Sequence, residues 1–489
     1  MGKQMTDYLL YRWRYVLGYG FIALTVVGLL IVAGLFIPGG LTQTEMQSVV
    51  SSSAISFSPS SFDPQSVINL PYHLLQHASI TLFGVSNLSI KLPSLLLGTL
   101  SVVGMFMLLR AWFRENVAIL TAIIVITTGQ FLFVAQSGAP SIVYIFWSVW
   151  LLVAAMMISR RAPMTLLWKM VLFGSAAFSI YTPLSLYMLI ALASAIALHP
   201  HLRYLVRKLS KTKLLIGLFI ALLLMLPLAY AIMRQPSVGL TLLGAPTDQL
   251  DIKANVLQLL RQYFDFVTPS SSMIITPIYG LGSVILIALG IVQLATTKYT
   301  ARSYIITAWI VLLAPILFLN PGYISITFVP FMLLVAMGVS LLLTSWYRLF
   351  PHNPYARLAG LLPLIILIGG LVFSGVGRYM YGYTYDPKTA GNFSHDVQML
   401  NQQIRQNKGQ RILLVTAPKE LAFYKVVAQH GTNLSVIDTN TPIAVNAAPI
   451  IMVTHAAHQT SVSPQLYRII TDNASLNADR FYIYKTGQK

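Results

Sequence analysis

The chain contains no cysteine, so no disulfide, thiolate nucleophile or cysteine-ligated metal can form. Acid is almost as scarce. Asp and Glu total 13 in 489 residues, and six of them follow residue 385. The other seven are Asp7, Glu45, Asp63, Glu115, Asp248, Asp251 and Asp265. Chemistry that needs a carboxylate in the first 384 residues has few places to find one. Charged residues of every kind make up 9%, and mean hydropathy is +0.71, a composition that belongs in lipid. No internal repeat is evident, which disfavours a repeat-built transporter. Apart from Lys169, the apolar runs hold almost no ionisable residue away from their ends, where a transport pathway would need them.

What is present is a series of long apolar runs. Those at 14–37, 91–110, 116–135, 140–159, 165–182, 183–198, 214–233, 277–297, 303–320, 323–345 and 356–377 make eleven candidate spans. Each approaches or reaches the roughly 20 residues that cross a bilayer as a helix. The first is too long for a signal-peptide core and is read as a membrane anchor. The net charge of +19 is a topology signal rather than a nucleic-acid footprint. Of 22 Lys and Arg before residue 385, seventeen fall on one side of the expected membrane. Lys91, Arg234, Lys253, Arg261 and Arg378 fall on the other. The positive-inside rule then places the N-terminus in the cytoplasm and, with an odd number of spans, the tail outside. Nucleic acid is not an expected partner; membrane lipid is.

The expected architecture is a mainly α polytopic membrane domain, residues 1–384, followed by a small extracytoplasmic α/β domain, residues 385–489. In the tail, 411–416, 434–437, 450–453 and 481–485 read as strands, and 418–430 and 464–472 as helices. Two long outer loops, 38–90 and 234–276, are the places to look for function. Within the first, residues 48–61 are Ser-rich, and Leu70–Phe83 reads as a helix lying in the interface. His73 and His77 sit four apart on it, a spacing that puts both on one side of a helix.

Several short motifs carry a family resemblance. Thr44-Glu45 follows the first span. Then come Leu70-Pro71-Tyr72-His73, His77, Phe83-Gly84-Val85-Ser86, and Lys91-Leu92-Pro93-Ser94 at the start of the second span. Tyr181-Thr182-Pro183 adds a mid-chain signature. In order and spacing over residues 38–110 the chain resembles the GT-C type glycosyltransferases related to protein O-mannosyltransferases and lipid A aminoarabinose transferases. The resemblance implies a polyprenyl-phosphate-linked sugar donor, transfer at the outer membrane face, and a glycan, lipid or exported protein as acceptor. Three positions depart from the family pattern. Its Asp-Glu pair is reduced to Glu45, its second Asp is replaced by Ser141, and the Lys before Pro in the aminoarabinose transferases is replaced by Leu70.

Sugar transfer from a lipid phosphate needs a base for the acceptor proton and positive charge for the leaving phosphate. Glu45, at the lip of the membrane, is the candidate base for a direct, inverting displacement. Arg234, Arg261, Arg378 and Lys91 are the candidate phosphate partners, with Arg suited to bidentate contact. Asp63, Tyr72, His73 and His77 are candidates for holding sugar, and Asp248, Asp251 and Asp265 lie in the second loop. No cofactor is assigned; Glu45 with the two His is the one set to consider for a divalent metal. An Arg-dependent lipid-linked glycan ligase, and a scaffold that binds lipid-linked glycan without turnover, stay open as alternatives.

Overall fold

The structure is a computed structural model that describes residues 20, 23–24, 26–55, 62–208, 211–246, 251–266, 274–297, 299–349, 354–407, 409–430, 433–441, 449–457, 465–472 and 479–485. The apolar runs read as spans are mainly helical where they are described. In chain order the elements are α1 (Val26–Leu35), then α2 (Gln43–Ser53), α3 (Leu70–Phe83), α4 (Asn87–Trp112), α5 (Glu115–Thr127) and α6 (Gly129–Gln136). They continue with α7 (Ile142–Ser159), α8 (Thr165–Ser179), α9 (Ser185–Leu198), α10 (Pro200–Arg207), α11 (Lys211–Leu224), α12 (Leu226–Arg234), α13 (Pro236–Leu242) and α14 (Ile252–Phe264). The set closes with α15 (Leu281–Thr296), α16 (Ala301–Leu319), α17 (Phe328–Leu349) and α18 (Pro354–Tyr385).

Five helices are long and apolar enough to cross a membrane: α4, α7, α16, α18, and α17 with the 3₁₀ turn that leads into it. Three adjacent pairs qualify together but are bent, α5–α6 by 60°, α9–α10 by 95° and α11–α12 by 43°. The helices α1, α8 and α15 are apolar but shorter. The chain is thus a multi-pass membrane protein, with five to eight crossings by length and composition among the described residues. Proline sets two of the bends. Pro200 and Pro227 sit in the first turns of α10 and α12, where a missing N–H is harmless but the preceding helix cannot continue unbroken.

The tail adds a one-turn α19 (Pro387–Ala390), then α20 (Asp396–Gln406), β1 (Ile412–Thr416), α21 (Pro418–Gln429), β2 (Leu434–Asp438), β3 (Ile450–Thr454), β4 (Leu466–Thr471) and β5 (Asp479–Lys485). The sheet order is β2-β1-β3-β5-β4. Its first three strands are parallel, and β5 runs antiparallel between β3 and β4. Fully buried β1 and β3 form its centre. One expectation is corrected: where a helix is expected over 464–472, Leu466–Thr471 is an edge strand. Tyr467, Ile469, Ile470 and Thr471 are residue types that pack well on a pleated surface, and pairing with β5 decides their conformation.

The tail does not stand apart from the first loop. Leu41 and Ser394 exchange backbone hydrogen bonds, both 2.8 Å. The side chain of Asn401 donates to Val85 O at 3.0 Å. Leu41, Met46 and Val49 of the first loop share one buried cluster with Val397, Leu400, Phe423 and Tyr424 of the tail. Emptying any one of these positions to Ala is worth about 2–5 kcal/mol. The helix α2 is therefore held between the membrane helices and the tail, and this fixes what lies at its N-terminus.

Candidate active site

Glu45 is buried, at 1% exposure. It forms a capping box with Thr42: the Thr42 hydroxyl accepts from Glu45 N, while Glu45 Oε2 accepts from Thr42 N at 2.6 Å and from Thr42 Oγ1 at 3.1 Å. The other oxygen, Oε1, accepts from Gly138 N at 2.5 Å, 93 residues away. Gly138 is gripped from the other side too, its carbonyl accepting from Gln76 Nε2 at 2.7 Å. A Cβ on Gly138 would lie 2.6 Å from Ile90 Cγ2, so glycine permits this close approach.

Gln76 links this anchor to a line of small polar groups. Its Nε2 also donates to Ile90 O at 3.1 Å, and its Oε1 accepts from Ser48 Oγ at 2.8 Å and Ser52 Oγ at 2.6 Å. Ser52 Oγ lies 2.9 Å from His73 Nδ1. Burial lowers the His73 pKa from 6.5 to about 4, and Gln76 offsets only part of that. The sign of the pH effect follows. The stability that depends on neutral His73 is complete above pH 6.5 and is lost as pH falls toward about 4. Acid is expected to remove up to about 3 kcal/mol by this route. Thermal unfolding of wild type and His73→Asn between pH 7 and 4 checks it, since the variant should lose that part of the slope.

Beside this network opens a cavity of about 480 Å³, within the range of ligand sites. Thr44, Gln47, Ser48 and Ser51 of α2, His73 of α3, and Ser137, Ala139, Pro140 and Ser141 line one side. Gln262, Ile274, Thr276, Ile278 and residues around Pro321–Ser325 line the other. Glu45 lies directly behind this wall. Its chain neighbour Thr44 lines the cavity, as do Ser137 and Ala139 on either side of its partner Gly138. A separate, mostly apolar cavity of about 330 Å³ lies toward the far ends of α4 and α7, with Arg161, Lys169 and Lys208 in its lining. It contains none of the candidate site residues.

The remaining candidates are spread around this centre. Tyr72 is buried and shares a 2.8 Å hydrogen bond with Ser94. Lys91 is completely buried, its ammonium donating to Gln136 Oε1 at 2.8 Å. Asp63 is exposed and caps the 3₁₀ turn Pro64–Val67. His77 is exposed while His73 faces inward. Among the described residues no three His, Asp or Glu side chains converge, so Glu45, His73 and His77 do not form a metal cage. Arg234 is exposed over the Tyr230 ring, 5.2 Å from its centroid. Arg261 is exposed next to the cavity residue Gln262. Asp251 caps α14; Asp248 lies outside the described residues. Arg378 is half-buried, donates to Pro277 O at 2.8 Å, and lines a cleft that shares Ile274 and Ile278 with the main cavity. Of the candidate cations it is the one that borders a neighbouring cleft. Tyr181-Thr182-Pro183 is buried, and the Tyr181 carbonyl accepts from Asn69 N at 2.8 Å, docking the start of α3.

Ser48, Ser52, Gln76 and Gly138 carry the wall but are not among the residues nominated from sequence. Thr42-Gln43-Thr44-Glu45 does have the S/T-x-x-E form of a capping box, a legible local signal. The bond to Gly138 has no such signature.

Comparison with known proteins agrees with this architecture. The family model for dolichyl-phosphate-mannose-protein mannosyltransferases matches residues 71–230. The crystal structure of ArnT from Cupriavidus metallidurans in the apo state is similar at TM-score 0.54 and 14% identity, covering 97% of this chain and 98% of that one. The same protein bound to undecaprenyl phosphate is similar at TM-score 0.52 and 14% identity, covering 98% and 99%. A search of curated proteins finds no match. Residues 71–230 thus match the mannosyltransferase family model, and the chain as a whole shares the fold of ArnT. At this identity the solved structures speak for the fold.

Proposed function

We propose that the chain transfers a sugar from a polyprenyl-phosphate donor to a hydroxyl of a cell-envelope glycan, lipid or exported protein. The transfer is a direct, inverting displacement at the outer membrane face, with the N-terminus in the cytoplasm and the tail outside. The observation that carries this reading is a cavity with Ser, Thr, Gln and His in its lining next to a buried carboxylate, on a fold shared over its length with a protein solved with undecaprenyl phosphate. Serine, threonine and glutamine side chains along the walls offer the neutral hydrogen bonds that sugar hydroxyls need. Glu45 is the base nominated by the sequence, and its neighbour Thr44 and the residues flanking its partner Gly138 line the cavity. Arg378 is the cation assigned to the leaving phosphate.

Purified protein given polyprenyl-phosphate-linked sugars and a hydroxyl acceptor should form product. Protein that binds polyprenyl phosphate yet turns over no donor would leave the scaffold reading standing instead. Within the transferase reading, Arg378→Ala is expected to raise the donor KM by about tenfold or more, as loss of a charge-assisted contact does. An unchanged donor KM would move the phosphate to another cation.

One observation favours a second reading of Glu45: both of its oxygens hold backbone N–H groups. On that reading the carboxylate fastens the cavity wall, and the base lies elsewhere.

A further inference from the structure

We propose that His73 takes the acceptor's proton, through Nε2, from inside the cavity. The inference rests on the transferase reading and follows the second reading of Glu45. It begins with Gln76. The amide nitrogen faces two carbonyl oxygens, Ile90 O and Gly138 O, which only accept. That fixes the amide's orientation, so Oε1 faces Ser48 and Ser52. Ser52 has a single hydroxyl proton and two pure acceptors for it, Gln76 Oε1 at 2.6 Å and Ser48 O at 2.8 Å. Whichever it chooses, Ser52 has only a lone pair left for His73. The hydrogen in the 2.9 Å contact therefore sits on His73 Nδ1.

A neutral imidazole with hydrogen on Nδ1 carries its lone pair on Nε2. His73 is a lining residue of the cavity, and Nε2 bonds no described residue, so it is the polar atom the ring has left to offer a ligand. Burial keeps the ring neutral at pH 7. Among the described lining residues no Asp or Glu competes for the role. The substrate class follows: an acceptor that donates a hydroxyl hydrogen into this pocket. In the step, the acceptor oxygen bonds to the anomeric carbon as its proton moves to Nε2. The bond from that carbon to the phosphate oxygen breaks, and its electron pair leaves with the polyprenyl phosphate. The imidazolium then releases its proton to solvent. Ser52 and Gln76 are positioning residues that hold the tautomer.

The test is His73→Asn, whose amide can keep the donation to Ser52 but has no atom in place of Nε2. Transfer should fall about 10²- to 10⁴-fold in kcat, the range for loss of a general base. Donor KM and the unfolding midpoint at pH 7 should stay close to wild type. A variant that keeps kcat within roughly threefold overturns the proposal. If His73→Asn does not fold, His73→Gln is measured against the same criteria. Full loss of kcat in folded Glu45→Gln, with His73→Asn near wild type, would return the base to Glu45. Wild-type protein that transfers nothing overturns the transferase reading itself, and this role with it.

Discussion

Replacing Glu45 by Gln is expected to lose sugar transfer and to loosen the cavity wall at the same time. The carboxylate accepts from Thr42 N with one oxygen and from Gly138 N with the other. An amide keeps one acceptor and turns an NH₂ toward the remaining N–H. That leaves a buried backbone donor unpaired, at a cost of about 1–3 kcal/mol. The two readings of Glu45 separate by temperature. If Glu45 is the base, kcat falls by about 10²-fold or more even well below the unfolding transition. If Glu45 is a fastener, activity recovers in the cold and the loss follows the lowered unfolding midpoint. Wild-type transfer together with an unchanged midpoint would refute both roles.

Arg480→Met is the second variant with a large expected effect. Arg480 holds Asp396 with Nε on Oδ1 at 2.6 Å and Nη2 on Oδ2 at 3.0 Å, and reaches Ser394 Oγ at 3.0 Å. Both partners are mostly buried, at 17% and 10% side-chain exposure. Removing the guanidinium strands Asp396 near Glu420, whose own pKa is raised by burial and by Asp396. A loss of about 2–4 kcal/mol is expected, just below the range for fully buried pairs. Adding Asp396→Leu should restore more than half of it, because no charge is then left unpaired. Thermal unfolding of the three proteins measures this, and a double variant no more stable than the single would contradict it. The effect should reach the site as well, since Ser394 pairs with Leu41, next to the Thr42 that caps α2.

The helices were legible because each apolar run is a local signal that lipid makes obligatory. Number and bending were less so: the apolar runs 116–135 and 214–233 do not say that the chain will bend at Thr128 and before Pro227. Glu45 was legible through scarcity, as one of few acids. Its partner Gly138 was not, because a hydrogen bond spanning 93 residues leaves no pattern in either segment. The His pair shows the limit of periodicity. The buried stripe of α3 is Tyr72, His73, Gln76, Ser79 and Ile80. Four residues advance a helix by about 40° beyond a full turn, enough to carry His77 past the edge on which His73 sits. The strand at Leu466–Thr471 was missed because an isolated edge strand is decided by its neighbour β5, not by its own residues.

The common core of α2 and the tail also sets an order of events during synthesis. Ribosomes complete α2 more than three hundred residues before they reach Val397, Phe423 and Tyr424, against which Met46 and Val49 bury. Until then only Ile80, Val85 and Ile90 of that cluster are available to cover the apolar side of α2, and a nascent protein stalled after α18 would leave the rest of it open. Maturation of the Glu45–Gly138 latch is thus tied to the arrival of the tail.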